Sequence, residues 1–177
     1  MHPSFKILFD EIESQREKTL LAVKHLSAEQ INRVPAPGKW SIAQILSHLI
    51  TAERLSLMYI NKKIQGIAEA EDSGAWEEIK MGLLKISQRW PGLKFRAPQK
   101  VVEHTTFYQD LPTIGQEWDK VRRELSALFE TIPDQYVNRK IYRHVRAGYL
   151  NARHALIFFR EHITHHIPQI KKLANKN

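Results

Sequence analysis

Apolar residues recur along this chain at helical spacing, with no convincing strand alternation, and that restricts the fold more than any other feature. The pattern is sharpest in the closing segment, residues 152–173. Measured from His162 at about 100° per residue, Ala155, Phe159, Ile170, Ile163, Leu156 and Ile167 fall between roughly 20° and 140°. That stripe is wide enough to face a core. Asn151 stands where a helix N-cap is expected. Pro168 cannot give a backbone bond to the Thr164 carbonyl, so the helix is expected to bend or end just past His166.

Similar stripes mark the other helices. Residues 5–26 carry Phe5, Leu8, Phe9, Ile12, Leu20 and Val23, and Ser27 caps one short turn after them. Pro35-Ala36-Pro37-Gly38 is a break. Ser41 followed by Gln44 is a capping box, with Trp40 placed as a staple, and opens a helix over residues 42–65. Its stripe is Ile42, Ile45, Leu46, Leu49, Ile50, Leu57 and Ile60. Glu53 falls near the centre line of that apolar face, where a carboxylate must be paired or hydrogen-bonded. A helix is expected over Ala75–Arg89, closed by Trp90-Pro91-Gly92, and another over residues 113–131. Residues 94–112 read as a long extended connection and residues 133–150 as an irregular loop. Four long helices without a strand predict an all-α protein, a four-helix bundle with long connecting loops.

A chain of 177 residues is expected to form a single domain, residues 1–177, with a sizeable core. With no run of about 18 apolar residues, no membrane span is expected. Cysteine is absent, which removes disulfides, thiolate metal sites and a cysteine nucleophile. Residues 1–5, soon followed by Asp10, Glu11 and Glu13, have no signal-peptide pattern, so the expected location is the cytoplasm. The net charge is +8, and it is uneven. Residues 134–177 hold nine Lys or Arg against Asp134 and Glu161, a surplus of +7. An anionic small-molecule partner is therefore expected. Nucleic acid is not, because the aromatics lie mostly on apolar faces rather than among the basic residues.

The chemistry concentrates in His162-Ile163-Thr164-His165-His166. His162 and His166, one turn apart at the margin of the stripe, suit a shared divalent metal, while His165 points the other way. The third ligand comes from His2, His25, His48, His104, His144, His154 or His165. His48 is the best placed, at the margin of a buried face in mid-helix. Three imidazoles would leave positions open for water or substrate. Imidazole suits zinc, nickel, copper or iron. No general base can be assigned; Glu53, His165 and Tyr149 are the nominal candidates.

Three stretches together resemble the DinB/YfiT-like family. Trp40-Ser41-Ile42-Ala43-Gln44-Ile45-Leu46-Ser47-His48-Leu49, with Ala52-Glu53, is similar to its second-helix motif. His144-Val145-Arg146-Ala147-Gly148-Tyr149-Leu150-Asn151 resembles the loop before its last helix, with Val145 where proline is usual. Glu161-His162-Ile163-Thr164-His165-His166-Ile167-Pro168-Gln169-Ile170 resembles its closing motif. The resemblance implies a four-helix bundle, a homodimer and a three-histidine metal site, carried over to His48, His162 and His166. The metal expected is zinc, with nickel, iron or manganese as alternatives. It also implies a metal-dependent enzyme that transfers a low-molecular-weight thiol to small electrophiles. The alternatives are metal-dependent hydrolysis of a small ester or amide, or a bundle that binds metal or ligand without catalysis. A homodimer is expected further because Ile157 and Phe158 extend the apolar surface of the closing helix beyond one buried face.

Overall fold

The computed structural model describes residues 1–89 and 99–175. Its elements are helices α1 (Pro3–Val23), α2 (Ala28–Asn32), α3 (Ile42–Ile64), α4 (Ala75–Arg89), α5 (Gln99–Glu103) and α6 (Leu111–Glu130). A single 3-10 turn (Asp134–Tyr136), strands β1 (Tyr142–His144) and β2 (Gly148–Leu150), and helix α7 (Ala152–Ala174) complete the chain. The protein is mostly helical, as its periodicity predicts. The expected close at Trp90-Pro91-Gly92 lies outside the described residues.

Local signals set the helix starts. Ser27, Ser41 and Asn151 each accept a hydrogen bond from the backbone three residues on, and that residue's side chain returns a bond to the cap. Each exchange satisfies two of the donors that a helix N-terminus leaves open. Asp110 caps α6 by accepting from the Thr113 amide.

The four long helices α1, α3, α6 and α7 form the bundle, and their directions follow from cross-contacts. Arg160 of α7 donates to Glu11 of α1, and Gln15 donates to Thr164, so α1 and α7 run parallel. Ile45, Leu46 and Leu49 share one apolar cluster with Ile114 and Trp118, while Leu57 and Ile60 share the other with Leu125 and Phe129. Helices α3 and α6 are therefore also parallel. Of these parallel pairs only α3 and α6 are consecutive in the bundle, so one long crossover is required, and α4 and α5 lie in it. Helix α4 packs against α7 outside the four.

Three expectations are corrected. The connection read as extended over 94–112 contains helix α5, and α6 begins at Leu111 with Pro112 in its first turn, where a missing N–H costs nothing. The loop at 133–150 contains a two-stranded antiparallel hairpin, in register Tyr142 to Leu150, Arg143 to Tyr149 and His144 to Gly148. Gly148 has φ +74, a left-handed conformation that favours glycine at the start of the return strand. Pro168 does not end α7, which continues to Ala174 because Ile170 is buried in the core beyond it.

Candidate metal centre

The histidines at the margins of α3 and α7 meet. His48 Nε2 lies 3.1 Å from His162 Nε2. The ring centroids are 4.9 Å apart for His48 and His162, 5.0 Å for His162 and His166, and 5.4 Å for His48 and His166. One nitrogen from each of the three comes within 4.8 Å of the others. Nitrogens bound tetrahedrally at about 2.05 Å stand about 3.4 Å apart, so this donor set fits one divalent ion.

Packing fixes the rings. Phe158, one turn before His162, stacks on it at 5.1 Å and 18°. Trp40, just ahead of the α3 cap, lies 4.9 Å from the His48 ring. Gln169 Oε1 accepts from His166 Nδ1 at 3.2 Å, which leaves Nε2 of that ring without a proton and available to a metal. Gln169 sits three residues from His166, a spacing readable in the sequence. The roles of Phe158 and Trp40 depend on packing that the sequence does not display.

Electrostatics keeps the rings neutral, the form that ligates. Burial, and then His165, lowers His48 to about 4. Burial, His48 and His165 lower His166 to about 3 against the opposing bond from Gln169. Burial and then His166 and His48 hold His162 well below its ordinary value. At 3.1 Å the two Nε2 atoms are within hydrogen-bond reach, one donating and the other accepting, and with the shared proton lost both lone pairs would be free for a cation.

The other candidate residues lie elsewhere. His165 touches the edge of the His166 ring but points its Nδ1 at the Gln88 carbonyl of α4, 2.8 Å away. Glu53 is 2% exposed and receives Arg122 at 2.7 and 2.8 Å and Trp118 Nε1 at 3.0 Å. That carboxylate is the pairing its position on an apolar face demanded. Tyr149 is exposed beneath Arg143 and lines a separate cleft of about 740 Å³ with Lys62, Lys63 and Lys140. His144 accepts from the Arg146 and Ala147 amides and packs on Phe158 at 4.7 Å, so the hairpin reaches the cluster through that ring. Burial, and then Arg146, lowers His144 to about 4.

Much of the basic surplus in residues 134–177 is already engaged. Arg139 donates to the Ala70 carbonyl, Lys140 faces Glu71 and Glu77, Arg153 faces Glu78, and Arg160 faces Glu11 and Glu161.

Imidazoles converging from facing helices place the protein among helical bundles whose core can hold a metal ion. The chain belongs to the DinB superfamily, whose family model matches residues 11–170. It is 24% identical over 161 residues to the uncharacterized protein YuaE of Bacillus subtilis (strain 168), covering 91% of this chain and 93% of YuaE. Its fold resembles the solved structure of YfiT from Bacillus subtilis, described as a probable metal-dependent hydrolase with an unusual four-helix bundle topology. The TM-score is 0.62 at 17% identity, over 97% of this chain and 86% of that one. Among the described residues no helix is long and apolar enough to cross a membrane.

Proposed function

We propose that residues 1–177 form one cytoplasmic domain that binds a divalent metal through His48, His162 and His166. With it the protein catalyses transfer of a low-molecular-weight thiol to a small electrophile. The observation that carries the metal reading is the convergence of three neutral, packed imidazoles from α3 and α7. Zinc is the favoured ion, with nickel, iron or manganese as alternatives. When bound, such an ion lowers the pKa of a thiol or water on an open position and supplies a nucleophile at neutral pH.

The chain's own groups do the rest. Gln169 sets the tautomer of His166, and Phe158 and Trp40 hold the His162 and His48 rings in place. Both buried carboxylates nearest in sequence to these histidines, Glu53 and Glu161, are held by arginines. A nucleophile generated without a carboxylate base is what this arrangement favours, and a thiol needs less help to ionise than water does. An anionic or thiol-linked substrate is supported by the net charge of +8, although Lys140, Arg153 and Arg160 of the basic segment are paired within the chain.

A second reading is hydrolysis of a small ester or amide, favoured by the description of YfiT as a probable metal-dependent hydrolase. The reading also includes a homodimer, supported not by α7, whose Ile157 and Phe158 are buried within the chain, but by the exposed apolar residues of α4.

Elemental analysis of the purified protein, then conjugation of a thiol to a chlorinated aromatic or epoxide with and without the metal, tests the proposal. The expected result is one ion per chain and a metal-dependent rate that His48→Ala removes. Ester hydrolysis without any thiol supports the second reading. Silence in both assays with metal retained leaves a binding module.

A further inference from the structure

Helix α4 buries Glu77, Met81, Leu84 and Gln88. Its opposite side is apolar: Trp76 is 64% exposed, Ile79 52%, Leu83 61% and Ile86 60%. Their spacing of three, four and three residues is that of a coiled-coil seam. Ala75 and Gly82 are the other uncharged exposed residues on the helix, and Glu78 and Arg89 are its only exposed charges. Elsewhere among the described residues the exposed large apolar side chains are single, as at Ile7, Leu21, Val34 and Met58, or near one other in sequence, as at Val102 and Phe107 and at Val145 and Tyr149.

We propose that this face of α4 is where two copies of the chain pair, antiparallel across a two-fold axis near Gly82. The inference rests on the homodimer reading and gives it a surface.

Three observations select a second copy as the occupant. The first is composition, because a face without charge has nothing to match a charged partner, whereas an apolar seam complements itself under two-fold symmetry. The second is area. The four side chains leave on the order of 500 Å² of apolar surface in water, near the upper end for one patch on a monomer. Pairing two copies buries about 1,000 Å² from those side chains alone, the size at which a specific interface begins. The third is Gly82. Glycine is among the poorest helix formers, and a Cβ built there meets nothing within 4 Å. Nothing around it among the described residues requires a glycine, whereas close approach by a second helix would favour one.

Because the chain has no cysteine, the seam can be tested with a single thiol. Light scattering at micromolar concentration is expected to give twice the 20.7 kDa chain mass. Leu83→Glu, a change at an exposed position, is expected to give the single-chain mass with an unchanged helical circular-dichroism spectrum. Mild oxidation of Gly82→Cys is expected to give a disulfide-linked pair, with little from Met58→Cys as the collision control. A wild-type monomer overturns the homodimer reading and the seam with it. A dimer that survives Leu83→Glu, with equal cross-linking from both cysteine variants, overturns the seam while leaving the dimer in place. If Leu83→Glu fails to fold, the two cysteine variants decide alone.

Discussion

His162 and His165 sit three residues apart on one helix, yet only His162 turns toward His48. Replacing His162 or His166 by Ala is expected to abolish stoichiometric metal by elemental analysis, and His165→Ala is expected to keep it. Equal loss from all three would place the ion on the wrong side of α7. The buried imidazoles also predict an acid response. His48 and His144 are held at about 4 against an ordinary 6.5. Below 6.5 the unfolded chain takes up protons that the fold refuses, so stability falls as pH drops through that window and flattens below about 4. Above 6.5 both states are neutral and these groups contribute no slope. Each contributes on the order of 3 kcal/mol across the window, which urea unfolding of metal-free protein between pH ~7 and ~4.5 measures. A flat profile would contradict the burial of the rings. The pair His162 and His166 was legible in the sequence because four-residue spacing at the edge of a stripe survives without tertiary knowledge. His48 was one of seven candidates, favoured by its place in mid-helix and by the family resemblance. Glu53 was legible as an anomaly only, since its partners Trp118 and Arg122 lie 65 and 69 residues away.

That ion pair ties α3 to α6. Glu53→Ala leaves Arg122, 1% exposed, with Glu13 at 3.3 Å as its remaining carboxylate. A loss of about 3–5 kcal/mol is expected in urea unfolding. Metal content should be unchanged if Glu53 is structural, whereas loss of metal at full stability would move the carboxylate into the site. Pro168→Ala offers the opposite test, since it restores an amide to the Thr164 carbonyl in an exposed stretch of α7. The expected gain is up to about 3 kcal/mol in the same assay; a decrease would show that the proline shapes the helix its neighbours need. Helix starts were readable because caps are local, as Ser27, Ser41 and Asn151 show. The hairpin was not, because strands of three residues are too short to establish an alternation. Only afterwards do buried Tyr142 and His144 around exposed Arg143 read as one. Helix α5, five residues long, escaped for the same reason.

At the scale of the molecule, the expected surplus of apolar surface on α7 is absorbed within the chain. Ile157 and Phe158 are 8% and 9% exposed, and Tyr142 and His144 of the hairpin lie against Phe158. The sequence could show that α7 was apolar around much of its circumference but not that a distant hairpin would cover it. The apolar surface left over belongs to α4 instead. The bundle itself was legible, whereas its two parallel pairings were not, because periodicity specifies faces and says nothing of direction. One of those pairings bears on how the protein is made. Phe5, Leu8 and Ile12 of α1 share a cluster with Ala155, Leu156 and Phe159 of α7. During synthesis α1 leaves the ribosome well before α7, so the part of its apolar face that α7 covers stays open even after Phe129 of α6 has reached Phe5. Most of the chain is polymerised in that interval, at about 5–20 residues per second. For several seconds of every round of translation, the side of α1 that α7 will cover stays open to water, the condition that makes a nascent chain prone to aggregate.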